Sequence, residues 1–133
     1  MHLIVCIDTR DGMSFCGRRQ SRDREVIARI LKITGESRLW VSHYSASLFP
    51  EERIVSDPDF MEKAGEGEYC FAETEVLPVV WKKLESATLY HWNRSYPATV
   101  KFPREILQSM HLQTREEFPG YSHETITMER YIL

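Results

Sequence analysis

The sequence predicts an α/β fold: a three-layer, mainly parallel β-sheet with helices on both faces and a C-terminal antiparallel β-hairpin. In the first 92 residues, five short apolar segments alternate with segments of helical spacing or helix-capping sequence. After Trp92 this alternation stops, and the tail has the pattern of short strands around a Pro119-Gly120 turn. A chain of 133 residues without a linker rich in Pro, Gly or Ser predicts one domain, residues 1–133.

The N-terminal half begins with a predicted strand and helix. Residues 2–8 contain LIVCI and end at Asp-Thr-Arg-Asp-Gly, a pattern typical of a buried strand followed by a loop. A helix is predicted from Ser21 as its N-cap to Gly35 as its stop, with apolar residues at helical spacing: Val26, Ile27, Ile30, Leu31 and Ile33. Residues 38–42 and 53–56 are predicted strands, with a short helix or turn before Pro50.

The second half repeats the alternation before the tail. Asp57-Pro58, DFMEKA and Gly65 together predict a helix with a capping Asp, a proline at its first position and a glycine at its end. Residues 68–72 and 87–92 are predicted strands, and between them Thr74 is expected to cap a second helix. The tail strands are expected in VKF, LQTREEF and HETITMERYI, the last two forming a hairpin.

Composition excludes several classes of protein. Hydrophobic residues make up 42%, charged residues 28%, and no apolar run approaches the length of a membrane span, so we expect a cytoplasmic protein. Three cysteines without C-x-x-C spacing predict reduced thiols, and five histidines without H-x-H or H-E-x-x-H spacing predict no metal site. The charge is +3 over the first 48 residues and −6 over the rest, which argues against binding of long nucleic acid.

An arginine-rich segment, RDGMSFCGRRQSRDR at residues 10–24, holds five arginines in fifteen positions. It follows a strand of a predicted α/β sheet, where the loop lies over the ligand crevice at the carboxyl ends of the strands. Guanidinium groups bind phosphate through two parallel hydrogen bonds, so the segment predicts an anion pocket. The alternative is a solvated loop and helix face on which Arg22, Asp23, Arg24 and Glu25 compensate one another.

Several strings resemble the dihydrofolate reductase family. MHLIVCID followed by DGM is similar to its first strand and active-site loop, and SRLWVSHYSASLF to its second strand and phosphate-binding helix. ATLYHW, VKFP and the closing EEF and SHETITMERY strings resemble its last strands. The resemblance implies that fold over nearly the whole chain. Short bacterial and phage proteins of similar appearance sometimes carry a ribonuclease Z label, but the chain lacks the H-x-H-x-D-H cluster of that zinc chemistry.

The resemblance also implies where ligands would bind. The helix beginning at Ser42 to Ser45 corresponds to the family's phosphate-contacting helix, and Asp23 lies about one residue out of register with the family's proton-relaying acid. The family's glycine pair after the fourth strand is replaced by Phe71-Ala72-Glu73-Thr74, so NADPH is not expected to bind in the family's manner. The predicted ligand-binding residues are Arg18, Arg19, Arg22, Arg24, Ser42, His43, Tyr44, Ser45, Trp92 and Arg94.

These expectations favour a non-catalytic protein that captures a phosphorylated, nucleotide-derived ligand as a sensor or sequestering protein, such as a phage-encoded anti-defence protein. No cofactor, metal or catalytic residue is then expected. A first alternative is a reductase that uses NADPH or a flavin, with Asp23 as the proton relay. A second is an inhibitor that binds an acidic protein through its arginines. A homo-oligomer is compatible with each.

Overall fold

The computed structural model describes all 133 residues and contains a seven-stranded sheet, mostly parallel, with strand order β5-β4-β6-β1-β7-β10-β9. The first five strands in this order are parallel, and β10 and β9 extend the sheet as an antiparallel hairpin. The strands of this sheet are β1 His2–Ile7, β4 Leu39–Val41, β5 Ile54–Ser56, β6 Tyr69–Phe71, β7 Ser86–His91, β9 His111–Phe118 and β10 Ile126–Ile132. The predicted fold class is confirmed.

Strand β1 lies in the middle of the sheet and contributes to both halves of the core. Leu3, Val5 and Ile7 point to one face and Ile4 and Cys6 to the other, as the two-residue period of a strand requires. All five are buried. Burial on both faces explains why LIVCI is a continuous apolar run and not an alternating one.

Helix α1, Arg24–Thr34, covers one of these faces. Its buried side chains are Val26, Ile30 and Thr34, and it ends at Gly35 with a positive φ, as predicted. The predicted N-cap was wrong by two residues. Asp23, not Ser21, accepts the Glu25 N–H at 2.8 Å, because its carboxylate is also held from the other side by the chain near residue 121.

The helices of the opposite face are much shorter than predicted. Helix α2, Phe60–Lys63, has one turn after Asp59, so neither Asp57 nor Pro58 begins it. The helix expected after Thr74 is a 3-10 helix, Pro78–Lys83, and further 3-10 turns occur at Ala46–Leu48, Glu51–Arg53 and Arg104–Leu107. Phe60 of α2, Val80 of the Pro78–Lys83 segment, and Ile106 and Leu107 of the Arg104–Leu107 turn are buried in the core, which a single turn is enough to supply.

A second, three-stranded sheet contains two strands where a loop was predicted and a third at the predicted VKF strand. Its order is β3-β2-β8, with β2 Gly12–Phe15, β3 Arg18–Arg19 and β8 Val100–Lys101. Cys16 and Gly17 connect β2 to β3, both with positive φ (50° and 76°), as a tight two-residue hairpin turn requires. The arginine-rich segment is therefore a paired hairpin with fixed side-chain directions.

The C-terminal hairpin is confirmed as predicted. Strand β9 pairs only with β10, and its residues from His111 to Glu117 are all exposed. Its charged side chains discourage pairing of this free edge with other strands.

Candidate functional site

The candidate site lies at the carboxyl ends of β1, β6 and β7, between α1 and the small sheet. Two connected spaces meet there. The inner one, here called the crevice, is lined by side chains that include Cys6, Phe71, Glu73 and Trp92, and its volume of about 10 Å³ corresponds to roughly one water molecule. The outer one, the groove, has a volume of about 430 Å³ and is lined by residues that include Arg22, Arg24, Ile27, Leu48 and Tyr121.

A buried carboxylate closes the β6 side of the crevice. Glu73 is 7% exposed and follows β6 after Ala72. The Arg19 Nε donates to Glu73 Oε2 at 2.5 Å and Arg19 Nη2 to Oε1 at 3.2 Å, while the Ser45 hydroxyl donates to Oε1 at 2.6 Å. The Arg19 guanidinium also lies over the Tyr44 ring, 4.5 Å from its centre. We call these four residues the Glu73 cluster.

Within the Glu73 cluster, the charges of Arg19 and Glu73 compensate each other. The two hydrogen bonds from Arg19 form a bidentate, charge-assisted pair, which is the strongest form of this contact. The bond to Glu73 raises the pKa of Arg19, so the guanidinium stays charged. Arg19 is therefore occupied by a protein carboxylate and does not point a free cation into the crevice.

A second buried carboxylate, Asp23, joins α1 to the loop between β9 and β10. Its Oδ1 accepts the Tyr121 N–H at 2.9 Å and its Oδ2 the Ser122 N–H at 2.9 Å. His123 Nδ1 lies 2.8 Å from Oδ2, and on the other side of the ring His123 Nε2 lies 2.9 Å from the Ser21 hydroxyl. The His123 ring is stacked on Trp92, with centres 4.8 Å apart and planes at 23°.

Hydrogen bonds keep Asp23 ionised although it is buried. Burial alone opposes the charge, but the bonds from Tyr121, His123, Ser122 and Glu25 prevail and hold the pKa of Asp23 well below its usual range. The carboxylate therefore stabilises the folded state at neutral pH.

Gly120 provides a local test of how closely the β9–β10 loop approaches Asp23. A Cβ at this position would lie 2.7 Å from Asp23 Oδ2 and 2.8 Å from the His123 carbonyl oxygen. We expect Gly120→Ala to lower the free energy of unfolding by about 2 kcal/mol, because the loop must move away from the carboxylate. Urea denaturation measures this loss. Gly65→Ala, whose Cβ meets only Glu68 Oε1 at 3.3 Å, is the control and should change stability by much less.

The structure separates the four predicted arginines. Arg22 and Arg24 line the groove, Arg19 belongs to the Glu73 cluster, and Arg18 is exposed on β3 without a hydrogen bond or an ion pair. The guanidinium of Arg24 lies 4.4 Å from the centre of the Tyr121 ring. Neither Arg22 nor Arg24 forms an ion pair with a carboxylate of the protein.

The other predicted ligand-binding residues also divide into two groups. Ser45 and Tyr44 belong to the Glu73 cluster, and Ser42 supports it by accepting the Ser45 N–H at 3.1 Å. Trp92 lines the crevice and is 4% exposed. His43 and Arg94 are exposed and line neither space, and the helix expected after Ser42 is a three-residue 3-10 turn with no anion-binding N-terminus.

Sequence reasoning missed three residues of the site. The sequence predicts Ser21 only as a helix cap, and it places His123 and Tyr121 only in a hairpin. His123 and Tyr121 reach the site because the loop from 119 to 125 folds back over the start of α1. The sequence Tyr121-Ser122-His123 gives no local signal for this contact, since Asp23, the partner of His123, is 100 positions away in the chain.

Comparison with solved structures identifies the fold. Dihydrofolate reductase from Enterococcus faecalis, in a complex with NADP(H) and RAB-propyl, is similar with a TM-score of 0.69 over 98% of this chain and 94% of that one. The two sequences are 10% identical. Neither a protein-family model nor a curated protein matches the sequence. The chain therefore has a dihydrofolate reductase-like fold.

Two further features bear on the expected classes of protein. No group of three or more His, Cys, Asp or Glu side chains is arranged to hold a metal ion, so the resemblance to proteins labelled ribonuclease Z is not supported. None of the helices has the length and apolar character that a membrane span requires.

Proposed function

We propose that this protein captures a phosphorylated, nucleotide-derived small molecule in the groove and does not reduce it. The proposal depends on the position of Arg22 and Arg24, two cations without carboxylate partners, which line the open groove at the carboxyl ends of the strands. Ile27 and Leu48 provide apolar walls, and the Tyr121 ring provides a flat surface for stacking. This combination suits a ligand with an anionic group attached to a planar, partly apolar body.

The Glu73 cluster supports the part of the proposal that the protein does not use a nicotinamide dinucleotide to reduce its ligand. If NADPH bound as the resemblance to the reductases implies, its pyrophosphate would lie beside the residues that follow β6, the fourth of the predicted strands. In this chain a buried carboxylate is already paired with Arg19 there, and a second anion would have to separate the pair or lie against a negative charge. The nearest following helical turn begins only at Pro78, so no α-helix N-terminus faces this position.

The two alternatives have weaker support in the geometry. A reductase would need Asp23 as a proton relay, but both of its oxygens already accept hydrogen bonds from the β9–β10 loop. An inhibitor would need the arginines to form one surface, whereas Arg19 is paired with Glu73 and Arg18 lies apart from the groove. The NADP(H) in the similar reductase structure supports a nucleotide-like ligand and does not specify the chemistry.

Thermal unfolding in the presence of nucleotides tests the proposal. A ligand at ten times its dissociation constant should stabilise the protein by about 1.4 kcal/mol, which corresponds to a rise in Tm of about 4 °C. We would screen adenosine and guanosine monophosphates, cyclic dinucleotides and NADPH, each with inorganic phosphate as the reference.

Matched variants locate the binding site. The variant with Arg22→Gln and Arg24→Gln should lose the stabilisation, because both unpaired cations are removed. Arg18→Gln, which removes a neighbouring exposed arginine outside the groove, should keep it. Stabilisation that survives the double replacement, or no stabilisation by any anionic ligand, would contradict the proposal.

A further inference from the structure

Ser21, His123 and Asp23 form a continuous hydrogen-bonded array beside the crevice. Asp23 Oδ2 lies 2.8 Å from His123 Nδ1, and His123 Nε2 lies 2.9 Å from the Ser21 hydroxyl oxygen. Asp23 and His123 are buried, whereas Ser21 is half-buried and lines the crevice. A hydroxyl, an imidazole and a buried carboxylate in this order form the arrangement that activates a serine nucleophile.

The partners of the ring fix which nitrogen of His123 can accept a proton. The Asp23 carboxylate is ionised and can only accept, so Nδ1 carries the hydrogen of their bond. In the neutral ring Nε2 is then the acceptor, and the Ser21 hydroxyl must donate to it. This tautomer allows His123 to take the proton of Ser21 as a general base.

The surroundings hold the array in place. His123 is stacked on Trp92, and the Tyr96 hydroxyl lies 3.3 Å from Nε2. Asp23 is fixed by two backbone N–H groups. The backbone N–H groups of Ser21 and Arg22 donate to no protein acceptor.

We propose that Ser21 is a catalytic nucleophile that hydrolyses carboxylic esters, with His123 as general base and acid and Asp23 as its positioning residue. The Ser21 oxygen attacks the ester carbonyl carbon and passes its proton to His123 Nε2. The C–O bond to the alcohol breaks, and the departing oxygen takes this proton. Water then gives a proton to Nε2 and attacks the acyl carbon, the Ser21–acyl bond breaks, and the Ser21 oxygen recovers the proton.

The groove next to the crevice indicates which esters react best, and this step rests on the proposed function. Arg22 lines both the crevice and the groove, one residue after Ser21. An ester with an anionic group would place that group against Arg22 and Arg24 while its carbonyl reached Ser21. We expect esters of this kind to react faster than neutral ones of the same leaving group.

A fluorophosphonate probe and 4-nitrophenyl acetate test the nucleophile on the full chain. The probe should form a P–O bond to Ser21 with loss of fluoride, and peptide mass spectrometry should find the adduct on that residue. Ser21→Ala should lower both the labelling rate and the ester hydrolysis at least about 100-fold. It should fold, because it removes one hydrogen bond from a half-buried residue outside any helix or strand. Ser37→Ala, at an exposed serine on the α1–β4 connection, is the control and should react like the wild-type protein.

One more readout separates catalysis from a structural role. Replacing both Arg22 and Arg24 by Gln should remove the preference for 4-nitrophenyl hydrogen succinate over the acetate. Loss of that preference tests the groove, whereas acetate hydrolysis by the wild-type protein tests Ser21. An adduct on another residue, no adduct, or equal rates in Ser21→Ala would overturn the proposal.

Discussion

Replacing Asp23 by asparagine is expected to lower the free energy of unfolding by about 3 kcal/mol, because it breaks a buried, fully hydrogen-bonded charge network. Asp23 accepts N–H groups on both oxygens, from Glu25 and Tyr121 on Oδ1 and from Ser122 on Oδ2. An asparagine side chain has one oxygen, so its NH₂ group must face at least one of these donors. The hydrogen bond from His123 Nδ1 also loses its charged acceptor.

Urea denaturation at neutral pH measures this loss. Asp59→Asn is the matched control, since Asp59 precedes α2, is exposed and makes no side-chain capping bond, and its replacement should change stability by less than about 0.5 kcal/mol. A loss of less than about 1 kcal/mol for Asp23→Asn would contradict the role assigned to this carboxylate.

The lowered pKa of Asp23 should make the stability of the protein depend on pH. The pKa of Asp23 is lower in the folded protein than in the unfolded chain, so its contribution is complete above the unfolded value of about 4 and is lost as the pH falls below it. The stability difference between the wild-type protein and Asp23→Asn should therefore shrink as the pH is lowered from about 5 to about 2. A difference that stayed constant over this range would show that the charge of Asp23 is not what stabilises the fold.

Removing the charge of Glu73 is expected to have the second largest effect, a loss of about 2 kcal/mol. Glu73→Gln leaves Arg19 without its bidentate partner and weakens the bond from Ser45. Arg19 is about 20% exposed, so water can solvate it in part, and the loss should be smaller than for the more deeply buried Asp23.

A double-mutant cycle isolates the contribution of the pair. Arg19→Met, Glu73→Gln and the double variant, compared by urea denaturation, should give a coupling energy of at least about 1 kcal/mol. Arg18→Met is the control, because Arg18 lies next to Arg19 on β3 but is exposed and has no partner. A coupling energy near zero would mean that the Glu73 cluster does not hold the crevice closed.

The sequence was a good guide to the sheet and a poor one to the helices. LIVCI and ATLYHW are apolar enough on both faces to predict central strands, and both lie in the middle of the sheet. The sequence DPDFMEKAG contains every capping signal of a helix, yet only Phe60–Lys63 is helical. Capping residues mark where a helix can begin and end, but its length depends on packing against the rest of the fold.

The place of the arginine-rich segment was predictable, but the pairing of its side chains was not. The segment lies at the carboxyl ends of the parallel strands, as its place after β1 predicted. Which arginine remains free depends on partners far away in the chain, since Glu73 is 54 positions from Arg19 and His123 is 100 positions from Asp23. Local patterns carry no information on such contacts, and the hairpin that directs Arg19 to Glu73 was itself predicted as a loop.

An NMR titration of the ¹⁵N-labelled protein with NADPH distinguishes binding in the groove from binding in the manner of the reductases, since backbone amides report separately on the two sides of the site. We expect the amides from Phe71 to Thr74 not to shift, because Glu73 and Arg19 already occupy that position, and any saturable shifts to be confined to the groove around Arg22, Arg24 and Tyr121. Saturable shifts from Phe71 to Thr74 would overturn the proposed function, because they would place the dinucleotide at the position of the Glu73 cluster.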